Sequence, residues 1–190
     1  MKDTAIDRTL DLGARLRREL AGFALRPARA DETPAARGLA ARLIGEGIVS
    51  ARDLERVHRA SGGASLFLAH EEGALTGVLA FVLLGRAGLQ AVRDGSFDAL
   101  APADAHLARP GQPASAFYGW GVAATTKASA RRLIDGSRAI MDGVLGHLPK
   151  FARPTTEAGH RLMRERLGFV DLPASRGLVW QPPVQEAAAA

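Results

Sequence analysis

The sequence predicts an α+β fold, a mixed and largely antiparallel sheet flanked by helices. Three observations carry that expectation. Two apolar runs, Ser65 to His70 and Ala74 to Leu84, are joined by Glu71-Glu72-Gly73 and read as an antiparallel hairpin. A glycine-interrupted aromatic run, Ser115 to Ala124, passes through a turn of small residues into a long stretch with helical periodicity. Around these the order is strand, two helices, hairpin, strand, long helix, strand, helix and two final strands, which is an α+β layering without internal repeats.

In order along the chain, residues 1–22 form an N-terminal helical extension, with Ile6, Leu10, Leu12, Leu16 and Leu20 spaced as an amphipathic stripe. That stripe suits docking on the domain or pairing two copies in a homodimer. Residues 23–181 form the main domain, and residues 182–190 read as an untethered tail. Phe23 to Pro27 is the first strand. Thr33-Pro34 predicts an N-cap with proline at the first helical position, and Gly45 and Gly47 end that helix. Ser50 and Asp53 have the spacing of a capping box and open a second helix, with Leu54 and Val57 inward.

Residues 85–114 are punctuated by seven Gly and Pro residues and read as a helical insertion of short fragments, Ser96 to Leu100 and Ala103 to Leu107. Thirty residues is long for a connection between strands, and such excursions are lids, binding loops or solvent-facing insertions. After it, Leu133, Ile134, Ser137, Ile140, Met141, Val144, Leu145 and Leu148 keep the spacing of one core-facing helix. Lys150 to Arg153 is a brief strand, Thr155-Thr156-Glu157 starts a helix, and Gly168 ends it. Phe169 to Leu172 and Gly177 to Trp180 are the last strands.

Bulk properties exclude several classes. The 190 residues contain no cysteine, which removes disulfides, thiolate metal sites and a cysteine nucleophile. The net charge of +5 comes from arginines scattered among acids, which argues against a nucleic-acid groove. The longest apolar run is too short for a membrane span, and the first residues lack the apolar core of a signal peptide, so the expected compartment is the cytoplasm. The five histidines lie far apart without ligand spacing, so no metal is expected.

The element order, together with Leu162-Met-Arg-Glu-Arg-Leu-Gly-Phe169, resembles the GNAT family (Gcn5-related N-acetyltransferases), over roughly residues 23–181. The resemblance implies acetyl-CoA as co-substrate. It also implies a strand that is broken by a bulge and splays from its neighbour, and a pantetheine arm in the resulting cleft. Gly119 and Gly121 fit such a bulge. By resemblance Val122 and Ala124 would supply backbone contacts to the pantetheine. The diphosphate turn would be Thr125-Thr-Lys-Ala-Ser-Ala130, where helical N–H groups without internal partners point outward. Ala128 replaces the family's usual glycine and Thr125 its Gln or Arg. Thr126, Lys127, Ser129, Ala130, Arg131 and Arg132 are the remaining contacts expected around the phosphates.

Acyl transfer needs a deprotonated amine, a stabilised oxyanion and a protonated leaving thiolate. The family's frequent tyrosine, four residues before the helix-ending glycine, corresponds to Arg164 here. The thiolate would then be protonated by the chain's one tyrosine, Tyr118, or by water, and Glu157, His160 and Tyr118 are the candidate bases. The expected activity is acyl-CoA-dependent N-acyl transfer, by direct attack, to a primary amine of a small molecule or a protein. The alternative is a non-catalytic binding or regulatory module on the same fold.

Overall fold

The computed structural model describes residues 12–172, 175 and 177–184. Seven strands form one sheet in the order β1-β2-β3-β4-β5-β7-β6. They are β1 (Leu25–Pro27), β2 (Leu66–Glu71), β3 (Ala74–Leu84), β4 (Ala116–Ala124), β5 (Lys150–Ala152), β6 (Val170–Asp171) and β7 (Val179–Gln181). The first four are antiparallel neighbours, β4 and β5 run parallel, and β7 is antiparallel to both β5 and β6. This is the mixed, largely antiparallel α+β sheet expected from the sequence. The expected N-terminal helix is present as α1 (Leu12–Ala21), and its first residues, Ile6 and Leu10 among them, lie outside the described residues.

Helices cover both faces. α1 and α5 (Lys127–Ala139), with the turn that follows α5, pack Leu16, Leu20, Leu133 and Ile140 against Phe67, Phe81 and Phe117. The opposite face receives α2 (Thr33–Ile44), α3 (Ala51–Ala60) and α4 (Arg86–Asp94), through Leu39, Leu54, Val57 and Val92. Strand alternation explains the division. Phe81 and Phe117 point to the first face, Val82 and Tyr118 to the second.

Several local expectations need correction. Thr33 is the first helical residue and Glu32 stands at the cap, because Pro34 tolerates the second position as well as the first. The stripe from Leu133 to Leu148 is not one α-helix. α5 gives way at Ile140 to a π-helical turn through Val144, and Lys150, fully buried, donates from Nζ to the Leu148 carbonyl at 3.0 Å just beyond it. Ser96 to Leu100 is not helical either, since the Asp98 carboxylate accepts from the N–H groups of Leu100 and Ala101 and fixes a turn. The insertion instead contains α4, a nine-residue helix. Gly88 lets α4 lie against the chain, because a Cβ there would fall 2.3 Å from the His106 carbonyl oxygen.

Candidate functional site

The site begins with one misfit in the sheet. Along β3, Ala80 faces Gly121 and Phe81 faces Gly119, so Trp120 is an extra residue in β4 and the strand carries a β-bulge there. Pairing of β4 with β5 ends at the same place, with Gly119 opposite Ala152 as the last pair. Beyond it Pro154 turns the chain away and the two strands part. Thr125 N–H donates to the Thr76 carbonyl on β3. By alternation, Ala123 and Gly121 share that direction, while the N–H and C=O groups of Val122 and Ala124 face the parting. The result is an exposed segment of strand edge inside the protein.

A cleft of about 640 Å³ fills the parting. One wall is β4 from Tyr118 to Ala124. Ala152, Arg153 and α6 (Glu157–Arg161), with its π-helical continuation Leu162–Arg166, form the second wall. Ala36, Ala40 and Ile44 of α2 close the third side. The insertion closes the fourth with Phe97 to Leu100, held down by the Trp120 indole N–H donating to the Ala99 carbonyl at 2.7 Å. The lining is mainly apolar, as is usual for small-molecule sites.

Tyr118 sits at the inner end. Its ring is buried, with Phe97 at 5.0 Å between ring centres, and its hydroxyl has no hydrogen-bond partner among the described residues. Burial pushes its pKa up, against a smaller opposing effect of the Arg153 charge. The hydroxyl is therefore a proton donor at neutral pH and not a base. Arg153 has no ion-pair partner among the described residues, whereas Arg37, also in the lining, is paired with Glu46 at 2.8 Å. Asp98 is the cleft's carboxylate, and its Oδ1 is engaged by the two backbone donors named above.

Glu157 and His160 are on α6, but that helix presents Ala158, Gly159, Leu162 and Met163 to the cleft. Glu157 is exposed and belongs to the first turn, which Thr156 caps by accepting from Gly159 N–H. Arg164 makes a two-oxygen ion pair with Asp171 on β6, at 2.7 Å to each oxygen.

The turn Thr125 to Ala130 lies at the end of β4, where the cleft opens. Thr126 caps α5 by accepting from Ser129 N–H, and Ala130 N–H donates to the Thr126 carbonyl. The side chains of Thr126 and Ser129 are occupied. Both donate to one oxygen of Glu71, at 3.0 and 2.8 Å, and Arg132 donates to the same oxygen at 2.6 Å. These bonds, Ser129's foremost, hold the Glu71 carboxyl below the usual range. Glu71 reaches the turn from β2, on the side away from β5. The N–H groups of Lys127 and Ala128 begin the helix, and Lys127, Ala128 and Arg131 are exposed. These residues suit an anionic group at the cleft mouth, with Glu71 a negative neighbour on its far side.

Sequence reading did not reach Phe97, Asp98, Trp120, Arg153 or Glu71. Among the described residues no group of three or more His, Asp or Glu is placed to hold a metal ion, and no helix is long and apolar enough to cross a membrane.

No protein-family model and no curated protein matches the chain. Among solved structures it is similar to a histone acetyltransferase HPA2 and related acetyltransferase from Corynebacterium glutamicum, at 18% identity and a TM-score of 0.49 over 84% of this chain and 95% of that one. It is also similar to a GNAT family acetyltransferase from Brucella melitensis in complex with acetyl-CoA, at 15% identity and a TM-score of 0.45, covering 83% of this chain and 86% of the other.

Proposed function

We propose that the chain is an acyl-CoA-dependent N-acyltransferase, acting with acetyl-CoA on a primary amine by direct transfer. The observation that carries the reading is the parting of β4 from β5. It leaves the backbone of Val122 and Ala124 free to pair with an extended amide-bearing ligand, at the wall of a cleft large enough for that ligand and a small acceptor. The pantetheine arm would lie there. The diphosphate would sit at the start of α5, against the N–H groups of Lys127 and Ala128 and the charges of Lys127 and Arg131, with Thr126, Ser129 and Ala130 shaping the turn.

Acetyl-CoA supplies the activated acyl group. Tyr118, protonated and without a competing partner, is placed to give a proton to the leaving sulfur. The carboxylate among the described lining residues is Asp98, its Oδ1 held by two backbone donors, and no histidine lines the cleft, so the base role falls to the surroundings. Apolar walls and the Arg153 charge both favour the neutral over the charged amine, and water at the mouth takes the proton. Glu157 and His160 would act only through such a water.

Calorimetric titration of the full chain with acetyl-CoA and coenzyme A tests the proposal, followed by thiol release with a panel of amines. Absence of binding at millimolar ligand refutes it. Binding without turnover of any amine would move the reading to a non-catalytic module on the same fold, for which Arg164 in its ion pair with Asp171 is the favouring observation.

A further inference from the structure

We propose that the acceptor is an α-amino acid with a large apolar side chain, its carboxylate read by Arg153; this rests on the acyltransferase reading above. Three features of the cleft point to that chemistry together. The first is the wall on the α2 side. Ile44, Leu54, Phe97, Leu100, Tyr118 and Trp120 come from four separate parts of the chain and enclose an apolar, partly aromatic space. Such a surface recovers the free energy of a buried branched or aromatic side chain and offers nothing to an extended, charged lysine arm.

The second is charge. A cationic acceptor, such as a polyamine or a basic peptide, calls for carboxylates free to meet it. The cleft's carboxylate is Asp98, with an oxygen already committed to two backbone N–H groups. Its cations are Arg37, neutralised by Glu46, and Arg153, which has no ion-pair partner among the described residues. Arg153 is exposed at the rim of the cleft, where a guanidinium without an ion-pair partner can bind a planar anion through two parallel hydrogen bonds.

The third is position. Arg153 follows Ala152, the last residue of β5 to pair with β4, and so stands where the strands part, across from the bulge at Trp120. In an α-amino acid the carboxylate and the amine are separated by one carbon. A carboxylate on Arg153 therefore holds the amine at the apex of the parting, beside Tyr118, while the side chain turns toward Phe97 and Leu100. The reaction balances without a further reactant. The lone pair of the neutral amine forms the amide bond as the carbon–sulfur bond breaks; the nitrogen loses one proton to water at the mouth, the sulfur gains one from Tyr118, and that water returns the proton to the phenolate.

The experiment compares L-phenylalanine and L-leucine with phenethylamine, 3-methylbutylamine and a lysine-containing peptide, by thiol release from acetyl-CoA. A parallel calorimetric titration with each amino acid is run, and another with coenzyme A alone. The expected result is a kcat/KM for each amino acid about 10–100-fold above that of its decarboxylated partner, the range of one charged hydrogen-bonded contact. Arg153→Gln should abolish that preference through KM, and Arg153→Lys should restore part of it. Equal use of amino acids and plain amines, preference for the peptide, or an unchanged KM in Arg153→Gln overturns the inference. If turnover is absent altogether, saturable binding of L-phenylalanine that Arg153→Gln removes still supports it, and no such binding overturns it. Coenzyme A titration decides the acyltransferase reading separately, because Arg153→Gln leaves the α5 turn untouched.

Discussion

Tyr118→Phe removes one oxygen and little else. The ring is 3% exposed and keeps its contacts with Phe97, Val82 and Phe151 whether or not the hydroxyl is present. Since that hydroxyl has no partner among the described residues, its loss strands no buried donor or acceptor. The stability of the variant should stay within about 0.5 kcal/mol of the parent. Acetyl-CoA affinity should also hold, because the expected contacts come from the backbone of Val122 and Ala124 and from the start of α5. The rate should not hold. A positioned general acid contributes about 100- to 10,000-fold, so kcat should fall at least ~100-fold, equivalent to about 2.7 kcal/mol of barrier. The assay is thiol release under saturating acetyl-CoA and amine, with urea unfolding and calorimetry as controls. Because burial raises the hydroxyl's pKa, the active protonated form persists as pH rises through the ordinary tyrosine range, and activity declines only above it. A kcat within threefold of the parent, with unchanged binding, would refute the assignment of Tyr118 as the proton donor.

Three further outcomes follow from other parts of the molecule. His58 is buried, its Nε2 donating to the Ala28 carbonyl at 2.9 Å and its Nδ1 accepting from Leu66 N–H at 3.0 Å, so His58→Ala should cost about 3 kcal/mol in urea unfolding by leaving two backbone groups unpaired. Burial depresses its pKa, so the unfolded chain binds the proton first; its contribution is complete above about pH 6.5 and shrinks as pH falls from there toward the folded value, and a variant series showing no such slope would contradict the buried neutral ring. Gly88→Ala drives a methyl into the His106 carbonyl, and should cost about 2 kcal/mol in thermal or urea unfolding while raising KM for the acceptor more than for acetyl-CoA, since the insertion walls the acceptor side. Glu71→Gln removes a negative charge from the start of α5, so coenzyme A should bind severalfold more tightly by calorimetry; weaker binding would mean that the carboxylate is needed to hold Thr126 and Ser129 in place.

The parts of this architecture that were legible in advance are those encoded locally. The hairpin of β2 and β3 is written in two apolar runs and an acidic glycine turn, and Ser50 caps α3 by accepting from Asp53 N–H at the spacing the sequence displays. Gly119 and Gly121 bracket the bulge as their positions suggested, although the extra residue is Trp120 between them. What escaped depends on contacts between distant segments. α4 was hidden because Gly88 reads as a breaker until the His106 carbonyl it accommodates is known. Arg153 and Phe97 carry no signal in their own neighbourhoods and become site residues only because β4 departs from β5 between them. Glu71 looks like an ordinary solvated turn acid, and nothing near it in sequence announces three donors from the cap and first turns of α5, 55 or more residues away.

The same geometry bears on where an acid can come from. After Arg161 the helix of the second wall widens into a π-helical turn, and Arg164 within that turn is spent on Asp171 of β6, the strand at the end of the sheet. A residue so committed fixes the last strand and has no proton to offer to a cleft reaction, since guanidinium does not deprotonate in proteins. The other hydroxyls of the lining, on Thr155 and Thr156, are aliphatic and far weaker acids than a phenol. Tyr118 approaches from the strand on the opposite wall, protonated, unpartnered and beside the one unpaired guanidinium among the described lining residues. Proton donation from the strand rather than the helix also puts the acid on the same wall as the aromatic residues that would hold the acceptor. In this chain, changes that reshape the acceptor pocket around Phe97 should therefore alter kcat as well as KM.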